Sequence, residues 1–203
     1  MGESTMFSGI VFGRARVESL TPQEGGQRLG LSLPAGFPPF VAGASIAVAG
    51  TCLTAREDGE TSASFDVIEE TLRKTRLGEL AVGSPVNVEA SLRMGDPIDG
   101  HVVQGHVDGL GRVSAIETEG GEHVYWIEPP SELAALIAPR GSIAIDGVSL
   151  TVARWRESSF AVALIPTTLE LTTLGELKVG DAVNLETDIL ARQVAHWLER
   201  REG

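Results

Sequence analysis

The chain repeats itself. Gly9, Gly13, Arg16 and Val17 return 96 residues later as Gly105, Gly109, Arg112 and Val113. Ser45, Ile46, Ala47, Gly50, Leu53 and Thr54 return 97 residues later as Ser142, Ile143, Ala144, Gly147, Leu150 and Thr151. The same spacing carries Thr71, Leu72, Thr75, Leu77, Val82, Val86 and Asn87 onto Thr168, Leu169, Thr172, Leu174, Val179, Val183 and Asn184. Three ordered blocks at a spacing of 96 or 97 mean a duplication. The period is too long for a solenoid repeat and two copies are too few for a propeller, so two similar domains in tandem are expected. Gly95 and Pro97 favour a linker, which divides the chain into residues 6–96, 97–186 and a tail, 187–203.

Within each copy the pattern is that of short strands. Leu29, Leu31 and Leu33 alternate with small residues after the turn signal Gly25-Gly26, and Val86 and Val88 alternate with Asn87 and Glu89. With 24 glycines available for turns, about six such strands close best into a small barrel. The fold class is therefore mostly β: two similar six-stranded Greek-key β-barrels in tandem plus a C-terminal α-helix. Short helices are predicted over Asp66 to Leu72 and near Pro166 to Leu171, and Ser131 is predicted to cap a turn carrying Leu133, Leu136 and Ile137 before Pro139. From Thr187 to Arg201 the period becomes helical. Leu190, Val194, Trp197 and Leu198 share a face, Asp188 lies at the positive end and Arg200-Arg201 at the negative end. That apolar face either packs on its own barrel or meets another subunit.

Charge and cysteine usage narrow the function classes. The net charge is −12, and Lys and Arg gather only in short runs such as Arg200-Arg201 at the very end. A nucleic-acid binder needs a basic stripe to neutralise phosphates, which this chain lacks. The single Cys52 forms no internal disulfide, which fits a reducing, cytoplasmic compartment. Met1 to Thr5 shows no basic-then-apolar leader, and no run of about 18 apolar residues is present. Neither a dinucleotide-type glycine turn nor a P-loop opens a strand–helix unit.

Two similar modules make two similar pockets, so the informative residues are those that differ between copies. Cys52 aligns with Ser149, Phe7 with Val103, Ile10 with His106 and Ala49 with Asp146. Cys52 reads first as a small buried hydrophobe, the usual state of a lone cysteine, and second as a reactive group. Ser149 and Thr151 lie two apart on a strand and share a face, either exterior or pocket-lining. His101 and His106 lie five apart, which on a continuous strand puts them on opposite faces, and no second cluster supports a metal site.

The segments Met6 to Val11, Gly50 to Thr54, Gly100 to Gly109, Ile145 to Val152 and Leu164 to Pro166 together resemble the riboflavin synthase family, alpha-chain type. The resemblance runs from Met6 to the C-terminal helix. It implies two lumazine-binding barrels and a helix that gathers a homotrimer, with association to a lumazine synthase shell left open. The implied reaction is a dismutation of two molecules of 6,7-dimethyl-8-ribityllumazine, with neither cofactor nor metal. It places the productive site between the first barrel of one chain and the second barrel of its neighbour. Substrate contacts are implied for Phe7, Gly9, Ile10, Val11, Ser45, Cys52, Leu53 and Thr54. They continue at Asp66, Val67, Ile68, Glu69, Glu70 and Thr71, then at Gly105, His106, Val107 and Arg140. The second barrel contributes Ser149, Leu150, Thr151, Ile165, Pro166, Thr167, Thr168, Leu169 and Glu170. His106, Cys52, Ser149 and Thr151 are the candidates for catalysis. Arg140 stands where the family commonly has Lys, Ala49 where it usually has Asn, and Asp99 where it usually has Gly. The resemblance also extends to non-catalytic lumazine- and flavin-binding antenna proteins, which tend to lose the histidine-containing run kept here.

Overall fold

The computed structural model describes residues 6–119 and 121–202. Met1 to Thr5, where no leader was read, lie outside the described residues, as does Gly203. The first copy forms β1 (Gly13–Gln23), β2 (Gly26–Ser32), β3 (Ser45–Val48), β4 (Thr51–Thr54), β5 (Ser62–Ile68), α1 (Glu69–Lys74) and β6 (Pro85–Ala90). The second repeats the series as β7 (Gly109–Glu119), β8 (Glu122–Glu128), β9 (Ser142–Ile145), β10 (Val148–Arg156), β11 (Ser159–Leu164), α2 (Pro166–Leu171) and β12 (Ala182–Thr187). The final element is α3 (Ile189–Glu202).

Strand order in the first copy is β4-β3-β6-β1-β2-β5, and in the second β10-β11-β8-β7-β12-β9, a closed barrel. All the ladders are antiparallel. The copies differ in how they close. β10 runs on to Arg156 and pairs with β11 through Val152↔Val162 and Trp155↔Phe160. Its counterpart β4 stops at Thr54, and a single bridge, Ala55↔Phe65, joins it to β5. The chain after Arg56 turns away to pair Gly59 with Phe40 instead.

Alternation explains the cores. Ala15 and Val17 of β1, Leu29 and Leu31 of β2, and Phe65 and Val67 of β5 fill the first barrel. Val113, Tyr125, Ile127, Phe160, Val183 and Leu185 fill the second. β6 and β12 depart from the half-buried pattern. Val88 and Leu185 point into their barrels, while Asn87, Glu89, Asn184 and Glu186, on the opposite faces, are buried as well. The covering surface is the other copy: Phe7, Ala47, Val103 and Ala144 form a separate small core between the barrels. Phe7 and Val103 exchange backbone hydrogen bonds of 2.7 and 3.1 Å. Asn87 donates to the carbonyl of Asp146 at 3.0 Å and accepts from Thr173 N at 2.8 Å. Asn184 donates to the carbonyl of Ala49 at 2.7 Å and accepts from Arg76 N at 2.8 Å. Gly50 and Gly147 face each other at this seam, where a Cβ on Gly50 would lie 2.5 Å from the Gly147 nitrogen.

Several local expectations are corrected. The predicted helix at Asp66 begins at Glu69, because Asp66 to Ile68 complete β5. Its twin does run over Pro166–Leu171. Ser131 does not cap its turn: Pro130 holds the cap position, the turn Ser131–Leu136 is 3-10, and the Ser131 hydroxyl donates to Glu132. Thr187 ends β12, and α3 starts at Ile189, with Asp188 accepting from Leu190 N at 2.9 Å. Residues between Gly100 and Asp108 form no strand, so the opposite-face argument for His101 and His106 does not apply. Ala49 occupies a hairpin turn at φ 47 in the seam between barrels, where its carbonyl serves Asn184. Its missing side chain therefore bears on docking of the barrels and not on a pocket.

The paired asparagines generate the first prediction. Asn87→Ala strands a buried carbonyl and a buried N–H, Asn184→Ala a buried carbonyl and a part-buried N–H, and each is expected to lower unfolding free energy by about 2–4 kcal/mol. Urea titration checks this, and two nearly equal losses are expected because the two contacts mirror each other.

Candidate functional site: two grooves on paired barrels

The outer faces of β4 and β5 make the first groove. Thr51, Leu53 and Ala55 point into the barrel, so Cys52, Thr54 and Arg56 point out. On β5, Asp66 and Ile68 point out while Val67 is core. Leu53 and Val67, both implied as contacts, thus offer a groove only their backbone. Glu69, Glu70 and Thr71 follow on the first turn of α1. Asp66 is bracketed by Arg28 at 3.0 Å and Arg56 at 2.6 Å. The Arg28 hydrogen bond, with both guanidinium charges beside it, holds this carboxyl below the usual range. Glu70 is paired with Lys74 at 2.7 Å, which likewise lowers its pKa.

The matching faces of β10 and β11 make the second groove, a hollow of about 290 Å³ lined by Ser149, Leu150, Thr151, Ala153, Ala163, Ile165 and Thr168. Ala153 and Ala163 stand where the first groove has Arg56 and Asp66, so this groove is open where the first is spanned by an ion pair. On α2, Pro166, Thr167 and Glu170 are exposed, and Leu169 packs against the barrel core. Arg140 sits in an exposed turn at φ 66, its N–H bonded to the carbonyl of Val152; the structure does not bring it among the residues lining the second groove.

Each groove is completed by a loop that crosses from the other barrel's start. Cys52 N donates to the carbonyl of Gly105 at 2.9 Å, and Ser149 N donates to that of Gly9 at 2.8 Å. Both glycines have φ +75, and a Cβ on either would come within 2.6 Å of the Cβ of Cys52 or Ser149. Only glycine allows this approach. A buried carboxylate anchors each loop. Glu89 accepts from Ser8 N and Oγ at 2.7 Å and from Gly9 N at 3.1 Å. Glu186 accepts from Gln104 N, Gly105 N and His106 N at 2.7, 2.9 and 3.1 Å. Burial pushes Glu89 up to about 6. His106 therefore rides, exposed, on the loop pinned to Cys52. Val107 follows it, half-buried. Phe7 is fully buried between the barrels and lines neither groove.

Ile10, Val11 and Ser45 fall in a neighbouring cleft of about 770 Å³ on the first barrel, with Phe12, Phe40, Glu89 and Asp99 among its walls. Ser45 also reaches Cys52, and their hydrogen bond opposes the larger effect of burial, which raises the thiol pKa; the Glu186 charge raises it further. Cys52 is thus held as a neutral thiol, a hydrogen-bonding group and not a ready thiolate.

His101 is a partner that sequence reading missed. Its Nδ1 lies 2.7 Å from Ser149 Oγ, its Nε2 is buried without a hydrogen-bond partner, and burial lowers its pKa against the opposing charge of Asp188. Nothing local in the sequence pairs residues 101 and 149. Glu89 and Glu186 were legible, since extending the third repeat block by two residues aligns them.

Comparison with known proteins agrees with this geometry. A model of the lumazine binding domain matches residues 8–91 and again 104–188. The chain is 43% identical over 185 residues to a riboflavin synthase of Chlamydia pneumoniae, covering 91% of this chain and 90% of that one. It is 43% identical over 195 residues to that of Mycobacterium tuberculosis (93% and 96% covered) and 40% identical over 197 residues to that of Escherichia coli (96% and 92% covered). Among solved structures, LumP complexed with 6,7-dimethyl-8-(1'-D-ribityl) lumazine superposes with a TM-score of 0.78 at 25% identity, covering 90% of this chain and 99% of that one. LumP complexed with riboflavin gives 0.79 at 27%, with the same coverage. Two lumazine-binding repeats, and 40–43% identity across nearly the whole length of such enzymes, establish that this chain belongs to the riboflavin synthase family.

Proposed function

We propose that the chain makes riboflavin from two molecules of 6,7-dimethyl-8-ribityllumazine, one bound in a groove of each kind. One molecule gives up a four-carbon unit and leaves as 5-amino-6-(D-ribitylamino)uracil; the other accepts the unit and becomes riboflavin. The observation that carries this reading is the pairing of like grooves with unlike chemistry. Both have the strand–helix walls and a crossing glycine loop, but one presents Cys52 and the Arg56–Asp66 pair, the other Ser149 with His101. A reaction between two identical molecules in different roles needs such a pair, and holding both in register supplies much of the rate.

The substrate-contacting set is the one named from the resemblance, less the side chains of Phe7, Leu53 and Val67, which are core, and less Arg140, which lies outside the second groove. His106 is assigned as the base that removes a proton from the acidic 7-methyl group; an exposed imidazole on a pinned loop suits that task. Cys52, Ser149 and Thr151 position the rings. The divisions at 96/97 and 186/187 separate two binding barrels from a helix whose exposed Leu190, Val194, Trp197 and Leu198 support assembly of a trimer, with grooves of neighbouring chains facing each other. The competing reading, tight binding without turnover as a LumP-like protein, shares the fold and is separated by activity.

Purified protein mixed with the lumazine alone is expected to form riboflavin and the pyrimidine in equal amounts, followed by absorbance and chromatography. His106→Gln is expected to cut kcat by about 10²–10⁴-fold with lumazine affinity retained; unchanged turnover would remove His106 from the chemistry. Binding without product in the wild-type protein would leave the LumP-like reading.

The state of Cys52 yields a separate prediction. Its alkylation by iodoacetamide is expected to be slow at neutral pH and to rise with a midpoint above that of a free thiol, because burial disfavours the thiolate. Rapid alkylation at pH 7 would show an activated cysteine.

A further inference from the structure

The two loop anchors are alike except for one cation. Glu89 holds the Ser8–Gly9 loop with no ion-pair partner among the described residues. Glu186 holds the Gln104–His106 loop with Arg192 of α3 beside it. The Arg192 guanidinium reaches Asp108 Oδ1 at 3.1 Å, Gln104 Oε1 at 3.0 Å and Glu186 Oε1 at 3.6 Å. Asp108 in turn accepts from Thr187 N at 2.7 Å and Oγ at 2.8 Å. One side chain therefore touches both ends of the His106 loop and its central anchor. Arg192 and Asp108 are both mostly buried, and Glu186 is almost wholly so. The first barrel has no helix at the equivalent place, because the chain continues through Gly95 into the second barrel.

We propose that Arg192 is a positioning residue that ties α3 to the loop carrying His106, so that the C-terminal helix sets the geometry of the first groove. This rests on the reading of His106 as the base. The path is short: Arg192 fixes Asp108, Gln104 and Glu186; Glu186 fixes the amides of residues 104–106; and Gly105 offers its carbonyl to Cys52. A planar guanidinium meets three oxygens at once. The charge is also required. Glu186 serves three N–H donors only as a carboxylate, and burial raises its pKa, opposed by the Gln104 amide and the Arg192 charge. The other ionisable groups facing it are Asp108, from the loop, and Cys52, from β4. Without Arg192 its pKa rises further, and the anchor fails from the acid side.

Amide exchange of the full-length protein, read by NMR or mass spectrometry, tests this independently of turnover. Arg192→Gln is expected to speed exchange at residues 104–106 roughly tenfold while Ser8 and Gly9 keep their protection as an internal control. Turnover by the same variant is expected to lose roughly ten- to hundredfold in kcat with little change in KM, misplacement of order 1 Å costing ~10²-fold. The acid limb of its kcat profile is expected to move to higher pH. Arg192→Lys, which keeps the charge, is expected to restore the limb. Should Arg192→Gln fail to fold, Asp108→Asn removes the same ion pair from the loop side and is read by amide exchange alone, because losing the Asp108 charge lowers the Glu186 pKa instead of raising it. Wild-type protection at residues 104–106 in the variant overturns the proposal, even if the wild-type enzyme turns over as expected. An inactive wild-type protein whose variant loses that protection would instead overturn the assigned function and keep the link.

Discussion

Everything in this molecule hangs on the seam between the two barrels. A strand in a small barrel normally shows one face to water, yet β6 and β12 are buried on both. Their outward Asn87 and Asn184 reach across and satisfy a carbonyl and an N–H of the opposite copy. Amides buried this way are costly to leave unpaired, so the contact has one register and no near alternatives. The buried ion pair of Arg76 with Asp146 adds a further constraint on one side only. That register brings Gly9 against Ser149 and Gly105 against Cys52. Each groove therefore borrows a wall from the barrel that does not own it, and neither is complete in an isolated module.

Duplication supplied the frame, and later divergence supplied the chemistry. The same groove position holds a thiol in one copy and a hydroxyl in the other. The ion pair Arg56–Asp66 in one becomes Ala153 and Ala163 in the other. The loop following the crossing glycine presents Ile10 in one copy and His106 in the other. A dismutation asks for this kind of difference: one ligand must lose carbon and the other gain it, though both arrive identical.

Much of this was readable in the chain itself. The repeat, spaced 96 residues over β1 and β2 and 97 beyond them, foretold two barrels because the strands of the first copy recur in order in the second. α2 was placed correctly because Pro166 marks its start. The seam was not readable, for a physical reason. Asn87 and Glu89 alternate with valines as solvent-facing residues do, and only tertiary docking turns that polar face inward. The His101–Ser149 contact spans 48 residues and depends on the same docking. Strand geometry would set His101 and His106 on opposite faces, whereas the loop they occupy takes its shape from Glu186 and not from a ladder. Phe7 aligned with a ligand-contacting segment, but its bulk fills the gap between barrels.

The presence of two unequal grooves in one chain is tested most directly by calorimetric titration with 6,7-dimethyl-8-ribityllumazine of the His106→Gln protein, in which binding is expected to persist with turnover suppressed. Two molecules bound per chain with distinct affinities are expected. One of the two is expected to weaken selectively in Asp66→Ala, which opens only the first groove's ion pair. A single site per chain, or two sites that Asp66→Ala affects equally, would contradict it.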